Sequence, residues 1–120
     1  MAAKFFVAID FDGMITGADI TDAVIQKFAR PGWEDAEQRW EEGLIGSREC
    51  LFEQMGLIDA PMDAILEYVD TFTIDPAFPG FVEFLQRHRI PHGIVSDGFK
   101  VFSERILRNA GITEVPIYAN

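Results

Sequence analysis

Phe5-Phe6-Val7-Ala8-Ile9-Asp10-Phe11-Asp12-Gly13-Met14-Ile15 decides the fold. Residues 4–10 run at strand length and are apolar at both parities from Phe5 to Ile9, the pattern of a strand buried on both faces in a parallel sheet. The run ends in two aspartates one residue apart, followed at once by a glycine. Carboxylates at i and i+2 repel unless a cation or a shared proton lies between them. At the carboxyl end of a buried strand they also stand where open α/β sheets bind ligands. The i, i+2 spacing places both on one side of the strand end, provided the strand unwinds after Asp10. The residues leave two readings open: the nucleophile end of a phosphoryl-transfer site, or a calcium-type or turn-forming Asp-x-Asp-Gly.

Outward from this stretch, glycines and prolines divide the chain. Gly13 to Gly17 forms a tight exit, and Asp19 is positioned to cap a helix carrying Ile20, Ala23, Val24, Phe28 and Ala29. Further helices are expected over about Glu34–Glu42, with Trp33 and Trp40 as apolar anchors, and over about Ser47–Met55. A fourth begins at Pro61, taken as a first-turn proline. Thr73-Ile74-Asp75-Pro76 is extended, because a residue before proline avoids the helical region. A helix from Pro79-Gly80 to about Arg89, a strand over Pro91–Val95, a helix over about Lys100–Asn109 and a strand over Val115–Tyr118 complete the pattern. Strands alternating with helices imply an α/β fold with a parallel sheet and right-handed crossovers. The four helices after the first strand break that rhythm and read as an inserted helical cap.

A second chemical cluster, Ser96-Asp97-Gly98, again ends a strand and leads into a helix. A hydroxyl with backbone N–H groups at a helix N-terminus can cradle a phosphate. Two adjacent parallel strands would bring it to the same edge as Asp10.

Ile9-Asp10-Phe11-Asp12-Gly13 resembles the first motif of the haloacid dehalogenase superfamily, and Ile94-Val95-Ser96-Asp97-Gly98 resembles its second. The all-helical cap directly after the first motif is similar to the phosphoserine-phosphatase-like branch. The run Trp40 to Cys50 and the ending Ile117-Tyr118-Ala119-Asn120 resemble the methionine-salvage enol-phosphate phosphatases within it. The resemblance implies a Rossmann-like core over residues 1–13 and 76–120 with a cap over 14–75. It also implies a Mg²⁺-dependent phosphatase that forms an aspartyl-phosphate on a small phosphorylated metabolite. Asp10 would be the nucleophile and Asp12 the acid/base. Mg²⁺ would sit on the Asp10 carboxylate and the Asp12 carbonyl. Ser96, Asp97 and Gly98 would hold the phosphate, and Arg48 a polar or anionic part of the substrate.

The chain departs from the family pattern in three places. Met14 replaces the usual Thr or Val after the glycine. Gln54 falls where phosphoserine phosphatases carry a carboxylate-binding arginine. The third-motif lysine and fourth-motif aspartate, which normally follow the third strand, are missing from these 120 residues. That absence implies an N-terminal part of the fold with an incomplete sheet. It raises a second reading, a non-catalytic or partner-completed fragment that forms a homodimer or pairs through an open sheet edge. A dehalogenase or phosphotransferase on the same fold is a third.

Composition narrows the partners. The net charge is −10, and residues 17–75 hold 14 acids against four bases, so the cap carries all of it. Such a surface argues against nucleic acid and anionic membranes. The single cysteine, Cys50, precludes an internal disulfide, and no leader or membrane-length apolar run is present, so a cytoplasmic setting is expected. His88 and His92 read as turn or surface residues, Cys50 as inert, and Trp33, Trp40, Phe52 and Tyr68 as cap core.

Overall fold

The computed structural model describes residues 5–120, so Lys4, the first residue of the expected strand, lies outside them. The first strand, β1 (Val7–Asp10), gives way to a wide turn over Phe11–Ile15. Helices α1 (Ile20–Phe28), α2 (Trp33–Glu41), α3 (Ser47–Met55), α4 (Met62–Val69) and α5 (Phe78–Arg87) follow. Strand β2 (His92–Val95), helix α6 (Lys100–Asn109) and strand β3 (Ile117–Tyr118) end the chain. The strands form one parallel sheet in the order β1-β2-β3, with Asp10 opposite Val95 and Val95 opposite Tyr118. This is the α/β architecture that the alternation of elements implies.

Local chemistry explains the boundaries. Asp19 caps α1 by accepting the Asp22 amide at 2.9 Å. Gly43 and Gly111 adopt positive φ (77° and 79°) where α2 and α6 give way to loops, a conformation that costs glycine little. Pro61 stands at the N-cap of α4 instead of in its first turn, with extended φ and ψ of −72° and 155°.

One large cluster joins the sheet to its helices. Ile9 and Ile94 from the strands pack with Ile20 and Val24 of α1, Ile65 and Val69 of α4, Val82 and Leu85 of α5, and Phe102, Ile106 and Leu107 of α6. The α2–α3 hairpin is built differently. Its buried residues, Ala36, Cys50 and Gln54, stand apart from that cluster. It hangs on a short two-stranded neck in which Arg30 N donates to Leu57 O (2.8 Å) and Asp59 N to Phe28 O (3.0 Å).

Two expectations need correction. The strand run was expected to be buried on both faces, yet the helices cover only the Ile9 and Ile94 side. Phe6, Ala8, Val95 and Tyr118 on the other parity remain exposed, although the Phe6 and Tyr118 rings close over Gly93. An apolar pattern records which faces a strand can bury, not which of them the available chain covers. Trp40 and Phe52 are also not cap core, being 44% and 51% exposed: Trp40 lines the space between the hairpin and the sheet end, and Phe52 lies against Arg48 and Phe99.

Candidate active site

That space is a cavity of about 600 Å³ between the carboxyl edge of the sheet and the α2–α3 hairpin. Asp10, Asp12, Asp97 and Gly98 line its floor, while Arg48 lines the side supplied by α3. Five of the six candidate residues therefore line one cavity, and the sixth, Ser96, hydrogen-bonds from beneath. The strand does unwind after Asp10. Asp12 keeps an extended backbone (φ −73°, ψ 127°) while Gly13 turns back at φ 78°.

Asp12 is the best-anchored member. Its Oδ1 accepts the Ile20 amide at 2.9 Å, so the N-terminus of α1 holds the carboxylate by hydrogen bond and dipole. Its Oδ2 accepts the Ser96 hydroxyl at 3.0 Å, and Ser96 Oγ in turn accepts the Gly98 amide at 3.0 Å. A relay from Gly98 through Ser96 to Asp12 thus links the two strand ends. Burial pushes the Asp12 carboxyl above its ordinary value, and the charges of Asp19 and Asp10 add to the rise. The Ile20 and Ser96 hydrogen bonds oppose it. Asp10 differs in kind: its side chain faces the cavity, and no hydrogen bond reaches its oxygens among the described residues.

The sequence reading overlooked two contributors. Thr21, the second residue of α1, is buried, and its Oγ1 accepts the Phe99 amide at 3.4 Å. A Cβ added to Gly98 would lie 2.5 Å from that Oγ1 and 3.3 Å from both Asp12 Oδ2 and Ser96 Oγ. Gly98 is therefore demanded by close approach. Asn120 is the second. Its Nδ2 donates to Asp97 O (2.8 Å), its amide to Gly98 O (3.1 Å), and its carbonyl accepts the Lys100 amide (2.7 Å). These bonds strap β3 across the second motif. Thr21 carried no signal beyond a polar residue on an apolar helix face, and Asn120 only its place in the ending Ile117-Tyr118-Ala119-Asn120 that carries the resemblance.

The cavity is acidic. Among the described residues, Asp10, Asp12, Asp19, Asp22, Glu37 and Asp97 line it against one cation, Arg48, whose guanidinium lies over the Phe52 ring at 5.4 Å. Phe52 meets Phe99 edge-to-face at 6.1 Å, so the hairpin touches the loop after the second motif. Cys50 also lines the cavity, but it is buried, and burial raises its thiol pKa, leaving it poorly suited to nucleophilic work.

Solved structures place this geometry. The substrate-bound complex of phosphoserine phosphatase superimposes with a TM-score of 0.74 at 16% identity, over 99% of this chain and 57% of that one. A haloacid dehalogenase family hydrolase from Salmonella enterica serovar Typhi gives 0.75 at 16% identity, over 96% of this chain and 40% of that one. This is the haloacid dehalogenase fold. Within it, curated relatives are similar along the whole chain. The 2-hydroxy-3-keto-5-methylthiopentenyl-1-phosphate phosphatase of Brevibacillus brevis is 34% identical over 122 residues, which is 100% of this chain and 55% of the relative. Its namesake from Lysinibacillus sphaericus is 30% identical over 90% of this chain and 48% of its own length. The chain therefore spans about half the length of the curated relatives it matches. No family model matches it. Among the described residues, no helix is long and apolar enough to cross a membrane.

Proposed function

We propose that the protein to which this chain belongs is a Mg²⁺-dependent phosphatase that hydrolyses a small phosphomonoester through an aspartyl-phosphate on Asp10. The observation that carries this reading is the pairing of an unencumbered Asp10 with a pinned Asp12 at one sheet edge. A nucleophile must be free to reach phosphorus, whereas an acid/base must be held in place. Asp10 attacks phosphorus and forms an acyl phosphate as the ester P–O bond breaks. Asp12 gives its proton to the departing alkoxide oxygen. It then takes a proton from water, whose oxygen attacks the phosphoryl group and releases Asp10 and inorganic phosphate. The Gly98 amide now donates to Ser96 Oγ and the Ser96 hydroxyl to Asp12, and the same two groups would meet the phosphate oxygens. Arg48 supplies positive charge from the hairpin side, and Asp97 shapes the loop.

The donor set suits Mg²⁺ in kind, since carboxylate and carbonyl oxygens are what it binds. The open carboxylate of Asp10 and the carbonyl of Asp12 would hold it. No group of three or more His, Cys, Asp or Glu side chains is assembled for a metal among the described residues. Bound there, the ion would offset the repulsion between an anionic nucleophile and an anionic substrate. The test is Mg²⁺-dependent phosphate release from an aryl phosphate by the full-length protein. Asp10→Asn should abolish it, and an unchanged rate would sink the assignment.

A second reading rests on the bare sheet face. Phe6, Ala8, Val95 and Tyr118 are exposed together, and β1 pairs only with β2 among the described residues. Under this reading, residues 1–120 are a partner-completed fragment without turnover of their own. A chain of these 120 residues that remained monomeric in sedimentation and released phosphate unaided would count against it.

A further inference from the structure

Gln54 is 4% exposed and lies on α3, on the hairpin side of the cavity. Its Nε2 donates to the Trp33 carbonyl (3.1 Å) and to Glu37 Oε2 (2.8 Å). A backbone carbonyl can only accept, so the amide has one orientation and both its protons are committed. The carbonyl oxygen of Gln54 is left over. No donor reaches it among the described residues, and no fully buried side-chain polar atom there lacks a partner. That oxygen consequently opens on the cavity the residue lines. The same cavity is lined by more acceptors: Glu37 from α2, and Asp19 and Asp22 from the start of α1. These carboxylates are close enough to interact. Burial raises the Asp22 carboxyl, and the charges of Asp19 and Glu37 raise it further.

We propose that Gln54 is a specificity-determining residue. Its Oε1 accepts a hydrogen bond from a donor group, a hydroxyl or an ammonium, on the organic part of the substrate, while Glu37, Asp22 and Asp19 exclude a carboxylate there. The substrate class is a donor-bearing phosphomonoester without a carboxylate. This inference rests on the phosphatase reading of the same cavity, and it adds which end of the substrate the hairpin reads and by what atom.

Binding to the full-length protein tests it without turnover. The chain holds two tryptophans. Trp40 lines the cavity and Trp33 holds Gln54, so intrinsic fluorescence reports occupancy. The probes, each with Mg²⁺ present, are inorganic phosphate, propyl phosphate, and the terminal-hydroxyl and terminal-carboxylate analogues of propyl phosphate. The hydroxyl ester should bind about two- to tenfold more tightly than propyl phosphate, the range one neutral hydrogen bond supplies. The carboxylate ester should bind about tenfold more weakly, or worse. Gln54→Leu should erase the hydroxyl advantage and leave inorganic phosphate unaffected. Glu37→Gln, which still offers Gln54 an acceptor, should relax rejection of the carboxylate and covers the case in which Gln54→Leu does not fold. Phosphate binding with equal affinities for the three esters overturns this inference alone. A hydroxyl preference that survives in folded Gln54→Leu overturns the role of Oε1. Failure to bind inorganic phosphate at all overturns the phosphatase reading, and this inference with it.

Discussion

Gly98 shows how little slack the site has. A methyl group there would stand 2.5 Å from Thr21 Oγ1, on a short side chain rooted in a packed helix, so the two motifs would have to move apart. Gly98→Ala should cost about 1–3 kcal/mol of stability, the usual penalty for overpacking, and should lower turnover further by displacing Ser96 from Asp12. Urea unfolding alongside phosphate release separates the two effects. Asp12→Asn should instead leave the fold intact and reduce phosphate release by about a hundred- to ten-thousandfold, the share that a positioned acid/base contributes. At this scale the sequence singled out Asp10, Asp12, Ser96 and Gly98 because each sits at a strand end marked by an apolar run, and the structure brings them to one sheet edge. It gave no role to Thr21 or Asn120. Their roles arise from contacts between segments far apart in the chain, which no local pattern encodes.

The elements were legible wherever local chemistry sets their limits. Asp19, Gly43 and Gly111 fix helix ends, and α3 and α6 occupy the expected spans. Strand ends were less legible, since β3 has only two paired residues although its apolar run is longer. Side-chain placement on the hairpin was misread for Trp40 and Phe52, because an aromatic that lines a cavity, or lies under an arginine, looks in sequence like one filling a core. One clasp between elements yields a pH prediction. Arg105 on α6 forks onto Asp70 at the end of α4 (2.7 and 2.8 Å), and Asn109 joins it. The Arg105 and Asn109 hydrogen bonds lower the Asp70 carboxyl to about 2 from its ordinary 3.8. The folded state then binds fewer protons than the unfolded state between those values. The clasp's contribution is present above about pH 4 and is lost as pH falls through 2. Unfolding midpoints measured from pH 4 down to pH 2 should fall less steeply in Asp70→Asn than in the parent chain. Equal slopes would show that the clasp is screened into irrelevance at the surface.

Across the whole molecule, chemistry and architecture are unequally complete. The site edge is organised by two motifs, a helix N-terminus and a hairpin over a cavity, yet one apolar face of the sheet is bare. Relatives about twice as long carry further chain beyond the matched part. Adding that chain, in one polypeptide with residues 1–120, should protect β1 amides from hydrogen exchange relative to the 120-residue chain alone. Unchanged protection would mean that the bare face and edge are stable as they stand. The uneven charge was plain in the sequence, and the structure gives it a location, an acidic cavity whose one lining cation among the described residues is Arg48. An anion can bind in such a cavity only with help, which is why Mg²⁺ is central to the proposed chemistry. The most direct test is peptide mapping of the full-length protein, acid-quenched during turnover of an aryl phosphate with Mg²⁺. The predicted result is an acid-stable, base-labile phosphoryl group on the peptide containing Asp10, absent without Mg²⁺ and absent in Asp10→Asn. Steady phosphate release with no phosphoryl group on that peptide, and undiminished in Asp10→Asn, would contradict the account.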